Sequence, residues 1–367
     1  MAASLALDLQ GPAGAAIDSG NSRRSFQEML LSSPVIRIGG RTSEIQRSVI
    51  GEQVLGLPPD VRVDKGVPFN KIPVGRTWRR TIIMPSYEQM VCLQAKDVPT
   101  SYTLRDTLLY ALSVGMGRDP VNRDELLYLY EGYALRTVPS QAVTVAVQDL
   151  IWNTGIDVPK CLHGEQKLTL HRQLPLAANL LADHRVVEVY DRGPGKGSII
   201  ETESKVRLAA DGQPLFDVSS RIVARGDDGM GSATARPSAP HPIPARKPDL
   251  VRVAETRPDQ ALLYRLTGDM NLVHIDPDLA QSVGFRVPIL QGSCTYGFVC
   301  RDVLAGVCKY DNSLMKTFGA RFTSVVYPGE HIETQMWMDG DIVSFRSRAL
   351  ERDVVVLDHG KCTLARR

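Results

Sequence analysis

The chain has 367 residues, of which 43% are hydrophobic and 23% are charged, and its 43 basic and 41 acidic residues leave a formal net charge of +2. This composition is typical of a globular protein of one or two domains and excludes a chain that is disordered throughout. A net charge near zero gives no field for nucleic acid or an anionic membrane, and no apolar run approaches the roughly 18 residues of a membrane-spanning helix. We therefore expect no nucleic-acid partner and no membrane span.

The cysteines and the chain ends indicate a reducing compartment. The six cysteines include no CxxC pair, so their spacing favours neither a zinc site nor a disulfide framework, and we predict buried free thiols and no metal. The N-terminus lacks a basic segment followed by an apolar core, and the chain ends in Ala365-Arg366-Arg367 rather than a Ser-Lys-Leu peroxisomal address. We expect a cytoplasmic or peroxisomal protein.

Residues 1–90 are predicted to be an N-terminal extension to which we assign no chemistry. Residues 1–22 are rich in Ala, Gly and Ser and are predicted to be disordered. Residues 24–33 could form a short amphipathic helix, and residues 35–38 and 81–84 are short β-rich runs.

Residues 91–235 are predicted to form a first α+β domain. Thr103 and Asp106 have the spacing of a capping box, and the apolar residues after them predict a helix ended by Gly115. From about residue 141 the period changes to two, which predicts a strand over 142–147. Further strands are predicted at 166–173, 184–192, 197–208 and 215–224.

The same order of a helix followed by several strands is predicted again after a linker. Residues 226–248 are rich in Gly and Pro, and we place the linker proper at 236–248. The second domain, 249–367, has a strand at 249–254, a buried helix at 293–307 and strands at 316–326, 331–339, 341–351 and 353–364. A helix followed by a strand meander, twice, indicates an internal duplication of one α+β fold.

The stretch 264–277, which reads YRLTGDMNLVHIDP, has the highest density of proton-transfer groups. Asp269, Asn271, His274 and Asp276 lie within eight positions beside apolar residues. On a turn, Asp269 and His274 could both reach one water molecule, and activating a water requires such converging acceptors. The alternative is structural, with each acid a helix cap and the histidine a satisfied core group.

This stretch resembles the signature of the MaoC-like hydratases, specifically the type 2 enoyl-CoA hydratases and the hydratase units of peroxisomal multifunctional enzymes of type 2. Blocks resembling that family occur in the same order: 110–115 (YALSVG), 130–132 (YEG), 162–166 (LHGEQ), 288–292 (PILQG), 294–297 (CTYG), 320–322 (ARF) and 327–329 (YPG). The resemblance covers about 90–367. It implies a double hotdog fold, in which two curved antiparallel sheets each wrap around a central helix.

The resemblance also implies an activity, the hydration of trans-2-enoyl-CoA to (3R)-3-hydroxyacyl-CoA or its reverse. No cofactor is expected, since CoA is part of the acyl-CoA thioester substrate, and a homodimer is possible. The C-terminal half would be catalytic, while the N-terminal half would have lost its own catalytic motif and opened for bulky acyl chains.

The family's residue roles carry over onto matching positions. Asp269 and His274 match the catalytic pair, Asn271 the residue that orients the water, and Gly292 the backbone donor to the thioester oxygen. His163, Gly164, Arg192 and Phe322 resemble substrate and CoA contacts. The supporting positions are Tyr264, Tyr110, Glu131, Asp276 and Gln291.

Three positions depart from the family pattern. Gln291 stands where a histidine is usual, Leu272 where a proline is usual, and Leu135 where some relatives have an acid. Gln291 and Leu272 remove no proton-transfer group, but they raise the alternative of an altered substrate or of a dehydratase in a specialised pathway, acting on a polyketide-like or carrier-bound 3-hydroxyacyl thioester. A separate alternative is a catalytically weak hotdog subunit that binds an acyl thioester, against which the intact Asp269, Asn271, His274 and Gly292 argue. Hotdog thioesterase chemistry is a further alternative.

Overall fold

The computed structural model describes residues 85–145, 150–152, 154–231 and 237–366. All of them belong to one compact unit, Thr81–Arg367. The features predicted for 1–22, 24–33, 35–38 and 81–84 lie outside the described residues.

A ten-stranded antiparallel sheet organises this unit. Its strands are β1 (Gln94–Tyr102), β2 (Cys161–Leu170), β3 (Ala178–Asp191), β4 (Ser198–Leu208), β5 (Pro214–Ala224), β6 (Leu250–Glu255), β7 (Met315–Phe322), β8 (His331–Asp339), β9 (Ile342–Ala349) and β10 (Val354–Leu364). Their spatial order is β1-β3-β4-β5-β2-β7-β10-β9-β8-β6. Five strands therefore come from each half of the sequence, and β2 and β7 join the two sets.

The helices of the N-terminal half are short. They are α1 (Tyr87–Val91), α2 (Leu104–Ser113), α3 (Arg123–Leu126) and α4 (Ala142–Val145), with 3-10 turns at Pro139–Gln141 and Val158–Lys160. The predicted capping box is confirmed: the Thr103 hydroxyl accepts the Asp106 N–H, and the Asp106 carboxylate accepts the Thr103 N–H. Gly115, at φ +88°, lies just after the end of α2, as the sequence predicted.

The strand predicted over 142–147 is wrong where the structure describes it, because residues 142–145 form α4. Val143, Thr144 and Val145 favour a strand by intrinsic preference. Here a 3-10 turn at Pro139–Gln141 leads directly into α4, and Ala142 packs in the main core. Tertiary packing outweighs the local preference.

The C-terminal half contains one long helix. Its helices are α5 (Gln260–Tyr264), α6 (Pro277–Ser282) and α7 (Gly292–Gly306), with 3-10 turns at Arg265–Thr267, Leu272–His274 and Asn312–Leu314. Twelve of the fifteen residues of α7 are buried, which confirms the predicted buried helix. Apart from 142–147, the strands predicted in both halves are confirmed, with ends shifted by up to six residues: β2 begins at Cys161 rather than 166, and β3 at Ala178 rather than 184. Strand β1 was not predicted.

Strands β2 and β7 join the halves through five paired positions, from Glu165 opposite Arg321 to Thr169 opposite Thr317. On this seam the Glu165 carboxylate accepts hydrogen bonds from Arg321 Nε and Arg221 Nη1, each at 2.8 Å. One acid thus ties both halves together beside the shared ladder.

The duplication is visible in matched residues. The run Leu-Leu-Tyr occurs at 108–110 on α2 and at 262–264 on α5. The rings of Tyr110 and Tyr264 meet edge to face, with centroids 6.2 Å apart. The long helix passes close to this contact, since a Cβ on Gly297 would lie 2.4 Å from Val114 Cγ1 and 2.9 Å from the Tyr110 hydroxyl.

The six cysteines are free. Cys294, Cys300, Cys308 and Cys362 are buried as predicted, but Cys92 is exposed and Cys161 is half-buried. The prediction of buried thiols fails for Cys92 because it caps the end of the short helix α1. Among the described residues, no helix is long and apolar enough to cross a membrane.

Candidate active site

The stretch with the highest density of proton-transfer groups forms a tight loop between α5 and α6. Gly268 has φ +125°, a backbone conformation that favours glycine, and turns the chain after the 3-10 turn Arg265–Thr267. The Asn271 side-chain oxygen then accepts the Val273 N–H at 3.2 Å and begins the next 3-10 turn. Because that oxygen is used, the Asn271 amide N–H₂ is left to donate.

His274 is held in one tautomer. It is 8% exposed, and its Nδ1 lies 2.9 Å from the carbonyl oxygen of Ile289. A carbonyl can only accept, so Nδ1 carries the proton and Nε2 keeps a lone pair. Burial lowers the pKa of His274 below its ordinary value, although the nearby Asp269 carboxylate opposes this shift. The side chain is therefore neutral at neutral pH, with Nε2 as an acceptor.

Asp269 faces that acceptor. Its Oδ2 lies 3.8 Å from His274 Nε2, and its Oδ1 accepts the Asn271 N–H at 3.3 Å. The separation of Oδ2 and Nε2 is longer than a direct hydrogen bond and lets both atoms contact one small molecule. The structure thus brings together Asp269, Asn271 and His274.

Gly292 is the first residue of α7, and Gln291 precedes it as the cap. The Gln291 carbonyl accepts the N–H groups of Cys294 and Thr295, each at 3.1 Å, so the N–H of Gly292 precedes the helical ladder. Such N–H groups at a helix start attract negative charge. A Cβ on Gly292 would lie 3.3 Å from Phe322 Cε1 and 3.4 Å from His163 Cδ2, so glycine keeps this space open.

His163 and Phe322 form a wall beside Gly292. They come from β2 and β7 on either side of the seam, and their ring centroids are 5.7 Å apart. His163 is exposed by its surface area, but desolvation of its ring lowers its pKa. The charge of Asp269 raises this pKa, and His274 lowers it further. The electrostatic effects of Asp269 and His274 on this ring indicate that His163 lies near the pair.

The backbone geometry of β2 explains why residue 164 is a glycine. The register of β2 against β5 shifts between His163 and Glu165, so Gly164 occupies a bulge. A Cβ there would lie 2.9 Å from Val223 Cγ2 and 3.1 Å from the Arg221 carbonyl. The bulge sets the direction of His163.

Arg192 is exposed in the β3–β4 turn, where its N–H donates to the Gly197 carbonyl. Ser198 and Cys161 both pair with Ala224, which places this turn at the same end of the sheet as His163. Two to three strand spacings, about 10–15 Å, separate it from β2. Arg192 is therefore remote from the Asp269–His274 pair.

Four predicted supporting residues lie outside the cleft wall. Asp276 caps α6, and its Oδ1 accepts the N–H groups of Asp278 and Leu279. Tyr264 and Tyr110 are buried behind the loop, and Tyr110 donates to Ser140 Oγ at 2.9 Å. Glu131 lies in an exposed turn after Tyr130. The supporting role predicted for Glu131 therefore stays a prediction.

The departures Gln291 and Leu272 differ in environment. Gln291 is fully buried and donates from Nε2 to the Ala261 carbonyl at 3.1 Å. Leu272 is 51% exposed on the loop. Of these two departures, Gln291 is the one that connects the start of α7 to another element, the helix α5.

Sequence reasoning missed the Ile289 carbonyl, which selects the tautomer of His274. It lies in the buried run before Gln291, and a backbone acceptor leaves no residue-type signal. Arg225 was also missed: its guanidinium carbon stacks 5.6 Å from the Phe285 ring centroid, joining the two halves near the end of β5. The sequence signal for Arg225 was its position directly after the strand predicted at 215–224.

Among the described residues, the fold and site together define a double hotdog protein in which one loop brings Asp269, Asn271 and His274 together. Family models match at 100–226, the N-terminal domain of multifunctional enzyme type 2 hydratase 2, and at 240–359, the MaoC-like domain. The probable enoyl-CoA hydratase 2 of Dictyostelium discoideum is 34% identical over 276 residues, covering 72% of this chain and 92% of that protein.

Two further relatives agree. The peroxisomal enoyl-CoA hydratase 2 of Arabidopsis thaliana is 34% identical over 70% of this chain and 88% of its own length. The crystal structure of a MaoC-like dehydratase from Phytophthora capsici superposes with a TM-score of 0.67 at 30% identity, covering 77% of this chain and 98% of that one. The chain belongs to the MaoC-like family of type 2 enoyl-CoA hydratases.

Proposed function

We propose that the chain catalyses the reversible addition of water to a trans-2-enoyl-CoA, giving the (3R)-3-hydroxyacyl-CoA. The observation that carries this proposal is the pairing of a neutral His274, fixed by the Ile289 carbonyl, with Asp269 Oδ2 at 3.8 Å from Nε2. Membership of the hydratase family supports the same reaction.

The chemistry needs a base because water is a poor nucleophile toward C3 of the enoyl thioester. A water between His274 Nε2 and Asp269 Oδ2 loses a proton to one of the pair as its oxygen bonds to C3. The electron pair of the C2–C3 double bond moves toward the thioester carbonyl. A proton delivered to C2 from the pair completes the addition, and the Asn271 amide N–H₂ orients the water.

Negative charge collects on the thioester oxygen during this step. The N–H of Gly292 donates to that oxygen, and the helix dipole of α7 adds to its effect. The absence of a Cβ lets the thioester approach the helix closely, between His163 and Phe322. No metal or other cofactor is required in this scheme, since CoA enters as part of the substrate.

Arg192 fits a contact with a remote anionic part of CoA. It is exposed, and the turn that carries it lies at the His163 end of the sheet. Its separation of about 10–15 Å from β2 is compatible with the phosphates rather than the thioester.

The second candidate is dehydration of a carrier-bound or polyketide-like 3-hydroxyacyl thioester. The same pair serves the reverse reaction, and the Phytophthora capsici relative is named a dehydratase. A catalytically weak binding subunit is disfavoured, because Asp269, Asn271, His274 and Gly292 are all present and are assembled by the described fold.

The compartment is inferred from the name of a relative, and the assembly from the family resemblance alone. The Arabidopsis relative is named peroxisomal, so we propose a peroxisomal location, with the cytoplasm as the alternative, which a fluorescent fusion would test. We also propose a homodimer, which light scattering on the purified protein would test.

The decisive experiment is a panel of enoyl-CoA, 3-hydroxyacyl-CoA and carrier-bound thioesters with chiral analysis of the products. The proposal expects (3R) products from enoyl-CoA in metal-chelated buffer. Turnover confined to carrier-bound substrates would favour the second candidate. Release of free thiol would indicate a thioesterase, and no turnover at all would favour a binding subunit.

A further inference from the structure

The duplication repeats one buried glutamine contact in both halves. Gln291 Nε2 donates to the Ala261 carbonyl at 3.1 Å, and Gln141 Nε2 donates to Thr107 Oγ1 at 3.0 Å. Ala261 and Thr107 both lie three residues before the tyrosine of a Leu-Leu-Tyr run. In each half, a glutamine just before a helix therefore donates a hydrogen bond to an earlier helix, Gln291 to α5 and Gln141 to α2.

The two glutamines also share an environment. Gln291 is 0% exposed and Gln141 is 1% exposed, and the side-chain oxygen of each is buried without a hydrogen-bond partner. A buried unpaired amide oxygen is costly, on the order of 1–3 kcal/mol. In each half the amide N–H₂ of the glutamine makes the one hydrogen bond described for that side chain, and this bond joins two segments of the half.

The two glutamines lead into different helices. Gln291 leads into Gly292 and the fifteen-residue helix α7, beside His163 and Phe322. Gln141 leads into Ala142 and α4, of which the structure describes residues 142–145, and the described residues of that half include no counterpart of the Asp269–His274 pair. The contact is thus built twice, and only one copy adjoins the catalytic groups.

The segment around Gly292 makes two hydrogen bonds to the region of the catalytic loop, one to the loop itself and one to α5. The Ile289 carbonyl accepts from His274 Nδ1, and the Gln291 side chain reaches α5, the helix that leads into the loop. The carbonyl of Gln291 also begins the helical ladder of α7. The direction of the Gly292 N–H therefore depends on how Gln291 is held.

We propose that Gln291 is a positioning residue that aims the Gly292 N–H at the thioester oxygen by tying the start of α7 to the helix preceding the catalytic loop. This proposal rests on the hydratase function proposed above. Loss of the hydrogen bond from Gln291 to Ala261 lets the first turn of α7 shift. The Gly292 N–H, displaced by a fraction of an ångström, then stabilises the transition state less. Substrate affinity depends on other contacts and changes little.

The test compares Gln291→Met with Gln141→Met, a matched change in the other half that removes the same donor and the same unpaired oxygen. We expect Gln291→Met to lower kcat by about 10- to 100-fold with KM within about threefold of wild type. Gln141→Met should leave kcat within about threefold. Gln291→His, which can still donate to the Ala261 carbonyl, should recover most of the lost kcat. Equal kcat losses in the two Met variants, or none in either, would refute the positioning role.

A readout without turnover separates this role from the proposed function. The absorption band of 4-(dimethylamino)cinnamoyl-CoA moves to longer wavelength when its carbonyl is polarised. We expect this shift on binding to wild type and Gln141→Met, and a smaller one with Gln291→Met. Absence of a shift with wild type, or equal shifts in all three proteins, would overturn the proposal. A shift that separates the variants in a protein that hydrates no enoyl-CoA would refute the proposed function and leave the positioning role standing.

Discussion

His163 and Phe322 lie with their ring centroids 5.7 Å apart, although one belongs to the N-terminal half of the sheet and the other to the C-terminal half. Their strands β2 and β7 form the seam between the halves, and both side chains reach the space over Gly292. The candidate site is therefore a shared site: the loop with Asp269 and His274 comes from one half and part of the substrate wall from the other. Within the described residues, the N-terminal half contributes His163 to this wall and has no second copy of the Asp269–His274 pair.

Gly292→Ala tests how closely the thioester must approach α7. The added Cβ would lie 3.3 Å from Phe322 Cε1 and 3.4 Å from His163 Cδ2, so it narrows the cleft. Alanine is the better helix former by about 1 kcal/mol, so the melting temperature should stay the same or rise. We expect kcat/KM to fall by at least about tenfold, measured by enoyl-CoA hydration beside a thermal melt.

Gly297→Ala is the matched control on the same helix. Its Cβ would lie 2.4 Å from Val114 Cγ1 and 2.9 Å from the Tyr110 hydroxyl, a clash inside the core. We expect a loss of about 1–3 kcal/mol in the free energy of unfolding. If Gly292→Ala instead melted early and kept its activity, Gly292 would have a packing role only.

The neutral state of His274 predicts the pH dependence. Burial lowers the pKa of His274 below its ordinary value of 6.5, and the reaction needs its Nε2 unprotonated. Activity should therefore persist through pH 6.5 and fall only as the pH drops through the lowered pKa. The quantity to measure is kcat/KM against pH, which reports the free enzyme. A half-maximal point above pH 7 on the acidic side would contradict the account.

The same shift predicts a change in stability. Between the lowered pKa and 6.5, the unfolded chain protonates His274 while the folded chain does not, so stability falls as the pH drops through this window. The stability of His274→Gln should depend less on pH in that window, as urea unfolding at several pH values would show. An unchanged dependence in the variant would mean that His274 is not the group responsible.

The sequence identified the loop because its residues are close in the chain. Asp269, Asn271 and His274 lie within six positions, and their spacing and types already indicate a shared water. Gly292 and His163 could be assigned only by resemblance, since long-range pairing brings them to the loop. The Ile289 carbonyl was invisible because it is a backbone atom, and α4 was missed because Val143 and Val145 favour a strand when read locally. Glu131 lies in an exposed turn, and its role in the site stays a prediction.

The buried ion pair between the halves predicts a large effect on stability. Glu125, 2% exposed, accepts from Arg301 Nη2 at 2.6 Å and from Nε at 3.2 Å, and also from the Gly117 N–H at 2.7 Å. Glu125→Gln leaves the Arg301 charge without its partner in the interior. We expect a loss of about 3–5 kcal/mol in the free energy of unfolding, measured in urea.

An exposed pair provides the comparison. Arg185 Nη2 lies 2.7 Å from Glu203 Oε2, but the Arg185 side chain is 56% exposed. Because solvent screens that pair, Arg185→Gln should cost less than about 1 kcal/mol. Comparable losses in the two variants would show that the Glu125–Arg301 pair does not stabilise the contact between the halves.

The most direct test of the account is the hydration rate of Asp269→Asn and His274→Ala on an enoyl-CoA that the wild type converts. Asp278→Asn, a change at an exposed acid on α6, is the control. We expect the first two variants to lose at least about 10²- to 10⁴-fold in kcat with wild-type circular dichroism, and the control to keep wild-type turnover. Wild-type turnover in both Asp269→Asn and His274→Ala would contradict the proposed activation of water.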